Sequence, residues 1–240
     1  RLRTYRANAL NPASSRKIYA AKGRPSDNPL IIHICCWEDI YRIVEDPSGW
    51  GKRLADAFWP GPLTMILPRK EAVPKETTGG LDTVAVRLPS HPVARRLIEA
   101  AGGYVAAPSA NTSGKPSPTS AQYVAEDMDG RIDMILDGGA VGIGLESTIV
   151  DLTGSEPIIL RPGYITKKML EDVFGHVSVD QTILKGDTAG RPKAPGMKAL
   201  CPQGGTFYRG RPGGCSGAAD QRMGRAGCRL RKAYGSDRHG

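Results

Sequence analysis

Residues 106–120 read AAPSANTSGKPSPTS. The stretch opens as an apolar strand and stops at Pro108. It then presents Ser109, Asn111, Thr112, Ser113, Ser117 and Thr119 among Gly and Pro. Small hydroxyl side chains and backbone N–H groups beyond a strand end suit anion cradles. Open sheets bind ligands in loops at such places. An ordinary polar loop has the same composition, but one this long in a compact domain is more often functional.

Outward from this loop, helices and strands interleave. NPASSRKIYAAKGRP has Asn11 as helix cap, Pro12 at the first helical position and Gly23 as the stop. PLIIHIC, LTMILP, TVAVRLP, GYVAAP, DMILDGG, STIVDL and PIILRPG are short apolar runs bounded by turn residues and read as strands. WEDIYRIVED, WGKRLADAFW, HPVARRLIEAAGG, TSAQYVAEDM and TKKMLEDVFG have helical spacing or caps. This order predicts an α+β chain in a three-layer α/β arrangement, with helices over both faces of a sheet. From about residue 186, GDTAGRPKAPGMK reads as a linker.

Three cations flank these strands. Lys22 and Arg24 follow the first helix in a Gly/Pro-fixed turn, and Arg161 ends a strand before a turn. Such cations either bind phosphate or are solvated charges on turns. Arg87 lies in an apolar strand and needs a partner, either an internal carboxylate or a substrate carboxylate or phosphate. His33 alternates within its strand and, taken alone, reads as a core histidine. GIGLESTIVDL places glycines before Glu146, Ser147 and Thr148 at a strand start. No Walker A, GxGxxG, Ser-His-Asp or metal-ligand spacing is present. The residues suggest a binder of a phosphorylated small molecule.

The 240 residues are 40% hydrophobic, enough for one core. The formal charge of +9 sits at the ends: seven Arg and one Lys against two Asp in 199–240, and three Arg in the first six residues. Residues 7–198 are near neutral, which argues against a nucleic-acid groove on the body. No apolar run is long enough to span a membrane, and RLRTYRANALNP has no apolar core of a secretory signal. A cytoplasmic location is expected. Cys35 and Cys36 read as buried free thiols. Cys201, Cys215 and Cys228 are spaced too irregularly for a zinc pattern.

KGRPSDNPLIIHI, PGPLT, TVAVRLP, APSANTSGKPSPT, ESTIVDL and ILRPG, in this order, resemble the YrdC-like threonylcarbamoyl-AMP synthases. The resemblance runs over residues 7–198. It implies a twisted, mixed seven-stranded sheet in a catalytic domain over 7–185. It implies formation of L-threonylcarbamoyladenylate and pyrophosphate from L-threonine, bicarbonate and ATP with Mg²⁺. The product would feed the tRNA-modifying threonylcarbamoyl transferase machinery, with weak or no direct nucleic-acid binding by the body. Carried over motif by motif, Lys22, Arg24, Asn28, Thr83, Ser109, Ser117 and Arg161 would bind ATP. His33, Arg87, Ala107 and Ser147 would hold threonine. No general base is implied if a threonine carbamate is the nucleophile. Two other readings are a carbamoyl-adenylate-forming domain of the hydrogenase-maturation kind and a non-enzymatic RNA-binding module.

Both ends depart from the resemblance. Synonymous codons can be chosen for Arg1–Thr4 that, read one base on, spell VYGL, and for Ala199–Gly204 that spell HYAPK, both words that the family has at those places. The expectation is that both ends are frame-shifted. The first strand, with a threonine-contacting Thr, and a second small domain would be lost, and 199–240 would be a disordered tail.

Overall fold

The computed structural model describes residues 8–46, 48–139 and 141–180. The expected linker at 186–198, the tail at 199–240 and the altered segment ahead of Asn8 lie outside the described residues.

The elements, in chain order, are α1 (Pro12–Lys22), β1 (Ile31–Ile34), a 3-10 helix (Glu38–Arg42), α2 (Trp50–Phe58), β2 (Leu63–Pro68) and α3 (Lys75–Thr78). They continue as β3 (Thr83–Arg87), α4 (Pro92–Ala100), β4 (Tyr104–Ala106), α5 (Ala121–Met128), β5 (Thr148–Asp151), β6 (Ile158–Arg161), α6 (Lys167–Phe174) and β7 (Ser178–Val179). The seven strands form one mixed sheet in the order β4-β1-β3-β2-β5-β6-β7.

Local sequence explains most boundaries. Asn11 Oδ1 accepts the Ala13 N–H and Gly23 closes α1 in the left-handed region. Ser120 and Thr166 cap α5 and α6 in the same way. WEDIYRIVED is corrected. Only Glu38–Arg42 coils, as a 3-10 helix, because Val44 leaves to bridge Arg69. DMILDGG is also corrected: no strand spans 133–139, and its residues are half-buried or exposed. The seventh strand is instead β7, two residues long, beside β6. All seven strands come from residues 31–179, so the count does not include the expected first strand. Asn8 makes an isolated antiparallel bridge to Val105 of β4.

The two sheet faces differ. Ile32 and Ile34 of β1, Met65 of β2, Val86 of β3 and Val150 of β5 join one large core with Ile18 of α1, Leu54 of α2 and Leu170 of α6. The alternate residues face the other way. There Ile66, Ala85, Ile149 and Leu160 make a small apolar floor. At one end of it, Ala94 and Ile98 of α4 pack on Val105. His33 and Arg87, direct partners in the parallel β1–β3 pair, stand on this second face.

The first core is also tied by a buried hydroxyl relay. Thr77 of α3 is fully buried, shares a 2.7 Å hydrogen bond with Ser15 Oγ of α1 and donates to the Ala9 carbonyl at 2.8 Å. Thr77→Val keeps the shape but strands the Ser15 hydroxyl, at a cost of about 1–3 kcal/mol. The midpoint of urea unfolding should fall accordingly, and Ser15→Ala added to Thr77→Val should recover part of the loss. An unchanged midpoint for Thr77→Val would remove the relay from the account of stability.

Candidate active site

The charged candidates fall into two hydrogen-bonded groups. The first gathers at the end of α1. Lys22 is buried, and its Nζ donates to the carbonyls of Ser109, at 2.5 Å, and Asn111. The Ser113 N–H returns a bond to the Lys22 carbonyl at 2.9 Å. The hydroxyl-rich loop is therefore fastened to α1 through its backbone. Asn111 stiffens it from within, donating to the carbonyls of Thr112 and Lys115. The buried Asn111 Oδ1 has no hydrogen-bond partner. Beside this clamp, Arg24 Nη2 donates to Asn28 Oδ1 at 2.6 Å and to the Pro29 carbonyl at 3.0 Å. Its Nε donates to the Asn28 carbonyl at 3.1 Å.

The second group lies where β5 and β6 begin and end. Arg161 is buried; its Nη1 pairs with Glu146 Oε2 at 2.8 Å, and Nε and Nη2 donate to the Ser147 carbonyl. Nη2 also reaches Ser147 Oγ at 3.0 Å, and that hydroxyl shares a 2.8 Å bond with Thr64 Oγ1 of β2. Ser117 Oγ donates to Glu146 Oε1 at 3.2 Å, so the far end of the loop is held here. Gly163 permits the close passage after β6: a Cβ there would sit 2.5 Å from the Glu146 carbonyl oxygen.

Arg87 lies between these groups in charge and differs in bonding. Its Nε donates to the Gly61 carbonyl at 3.1 Å. It forms no ion pair among the described residues. Gly61 can approach because it has no Cβ, which would fall 2.2 Å from the Phe58 carbonyl oxygen. Burial lowers the pKa of Arg87, and the nearby charge of Arg161 lowers it further. Burial also lowers Arg24 and Arg161, against the opposing influence of Tyr19 and Glu146 respectively. Burial first, then Arg87, hold the His33 pKa down at about 3, so its ring is neutral. His33 Nδ1 lies 3.2 Å from the Ile31 carbonyl. Arg87, without an ion-pair partner among the described residues and beside a neutral ring, forms a place where an anion is welcome.

Arg87 borders a cleft of about 300 Å³ walled by His91, Leu136, Ile143 and Leu145. Lys22, Ala107 and Ser109 line a separate hollow of about 40 Å³ under α1 and α5. The sequence-predicted residues are thus divided. His33, Arg87, Ser147, Arg161 and Ser117 are linked by register, charge or hydrogen bonds. Lys22, Arg24, Asn28, Ala107 and Ser109 cluster at the α1 end. Thr83 pairs with Pro68 at the opposite end of β3 from Arg87, about 13 Å along the strand. Thr64 and the Glu146 carboxylate were missed as functional candidates. A buried threonine in LTMILP and an acid directly before a strand were the available signals. The apolar wall at 136–145 was hidden because that segment read as a strand followed by a glycine-rich turn.

The family described as "Telomere recombination", named for Sua5, YciO and YrdC, matches residues 5–163. A threonylcarbamoyl-AMP synthase of Pyrococcus abyssi is 50% identical over 192 residues, covering 80% of this chain and 56% of the relative. One of Bacillus subtilis is 50% identical over 193 residues, covering 80% and 55%. A crystal structure of P. abyssi Sua5 complexed with L-threonine superposes with a TM-score of 0.76 at 50% identity, covering 79% and 56%. The chain spans little more than half the length of these relatives. Matched by the family over most of its length and at 50% identity by these relatives, the chain belongs to the Sua5–YciO–YrdC family.

Proposed function

We propose that this chain carries the catalytic domain of an L-threonylcarbamoyladenylate synthase. The observation that carries the reading is Arg87, a half-buried guanidinium at a cleft with no carboxylate partner among the described residues, paired across the sheet with a neutral His33. A threonine carboxylate on Arg87 would satisfy it, and His33, Ser147 and the Ala107 backbone would border the amino acid. Lys22, Arg24, Asn28, Ser109, Ser117 and Arg161 would serve the nucleotide. Thr83 would do so only from the far end of β3. The names of the 50%-identical relatives support the same substrates.

In this reaction the threonine amine forms a C–N bond to bicarbonate carbon with loss of water. A carbamate oxygen then attacks the α-phosphorus of ATP in line, the bond to the β-phosphate oxygen breaks, and pyrophosphate leaves. The fixed cations stabilise charge developing on the phosphate oxygens. The carboxylate in the network, Glu146, is already held by Arg161. Mg²⁺ would therefore arrive on the phosphates of ATP, where it neutralises charge, rather than in a protein cage. Among the described residues no helix is long and apolar enough to cross a membrane. A cytoplasmic site of action, with delivery of the adenylate to a tRNA-modifying transferase, completes the proposal.

Exchange of labelled pyrophosphate into ATP tests it. Exchange should require both threonine and bicarbonate, and should vanish in Arg24→Ala. Arg87→Lys should raise the threonine concentration for half-maximal exchange roughly 100-fold, because a point charge replaces a fork at a buried carboxylate site. Exchange with carbamoyl phosphate and no threonine would transfer the chain to the hydrogenase-maturation chemistry instead. Salt-dependent RNA binding without exchange would favour the binding module.

The neutral His33 has a separate consequence. Unfolded, the imidazole takes a proton near pH 6.5; folded, it does so only near about 3. Between those values the unfolded state binds more protons, so this contribution to stability is full above about pH 6.5 and is lost as the pH falls toward 3. Urea midpoints measured from neutral to acid pH should fall less steeply for His33→Asn than for the parent chain. Parallel profiles would show that His33 does not govern the acid limb.

A further inference from the structure

β1 ends at Ile34, and the chain bends through Cys35 and Cys36 into the 3-10 helix. In a continuing strand these neighbours would point to opposite faces. The bend instead turns both toward one carboxylate. Cys35 Sγ lies 3.3 Å and Cys36 Sγ 3.1 Å from Asp39 Oδ2, and the Cys36 N–H donates to the same oxygen at 3.3 Å. The two sulfurs and the carboxylate oxygen all lie within 4.8 Å of one another. Zinc binds sulfur at about 2.3 Å and carboxylate oxygen at about 2.0–2.2 Å, so small side-chain rotations would seat one ion among the three.

The surroundings hold this geometry. Arg95 donates to the Cys35 carbonyl through Nε and Nη2, at 3.2 and 3.0 Å. Tyr104 donates to the Asp39 carbonyl at 3.1 Å. Gly103 packs against the Asp39 carboxylate, where a Cβ would stand 3.4 Å from Oδ1. All three ligand residues are half-buried rather than buried, which corrects the expectation for the two cysteines and leaves a path for an ion and a water ligand. None of the three hydrogen-bonds to the Arg161 network or to the Lys22 clamp.

We propose that Cys35, Cys36 and Asp39 form a binding site for a thiophilic divalent cation of the zinc class, separate from the candidate active site. Soft thiolates with one hard oxygen select zinc or cadmium over magnesium. Metal must displace thiol protons to bind the sulfurs, so binding tightens as the pH rises.

The test uses the full chain with Cys201, Cys215 and Cys228 replaced by Ser, reduced and metal-free, and titrated with Cd²⁺. One ion per chain should produce a sulfur-to-cadmium charge-transfer band. Cys36→Ser should halve that band, and Asp39→Asn should weaken binding at least about tenfold. Circular dichroism checks that each variant folds. In the parent chain, Zn²⁺ should protect Cys35 and Cys36 from alkylation, read by mass spectrometry. A titration unchanged in the Cys35→Ser/Cys36→Ser variant, or no protection by Zn²⁺, would overturn the site.

Discussion

The structure depends on how buried cations are neutralised at the end of α1 and at one face of the sheet. An unpaired charge out of water is among the costliest features a fold can carry. Lys22 meets two loop carbonyls, Arg24 meets Asn28 and Pro29, and Arg161 meets Glu146 and Ser147. These bonds shape the backbone around the face. The hydroxyl-rich loop is pinned at one end by a lysine and reaches, through Ser117, the carboxylate that holds Arg161 at the other. A loop with few apolar residues thereby acquires a fixed course without a core of its own.

Arg87 is the exception, and the exception locates the chemistry. Its neighbours in charge are another cation and a ring kept neutral by burial. Glu146 offsets the charge of Arg161, and no carboxylate among the described residues offsets that of Arg87. An anion entering the cleft there gains what an internal carboxylate would otherwise take. Glu146 serves the opposite purpose. It spends its charge on Arg161 and Ser117, fixing donors in place.

Most strands and helix caps were legible in the sequence because they depend on short-range chemistry. Asn11, Ser120 and Thr166 cap where their types predict, and the apolar runs of β1, β2 and β3 pair as strands. What was not legible depends on distant partners. KETT becomes α3 where Thr77 bonds Ser15 and Ala9 across the chain. DMILDGG has a strand's composition but lines a cleft wall, and β7 is too short to show a period. The cations were recognised by type and place, but their partners were not. No local pattern says that Lys22 reaches carbonyls at 109 and 111, or that Thr64 meets Ser147.

The same distinction explains why the two cysteines read differently in sequence and in space. By spacing, adjacent thiols neither bridge nor form a familiar zinc pattern. A bend immediately after β1 removes the strand alternation that would separate them, and a 3-10 turn brings back Asp39 three residues later. Spacing rules describe ligands on regular elements. At a strand-to-helix junction the backbone sets a different geometry, so neighbouring residues can converge on one point and ligand sets can arise that no spacing rule anticipates.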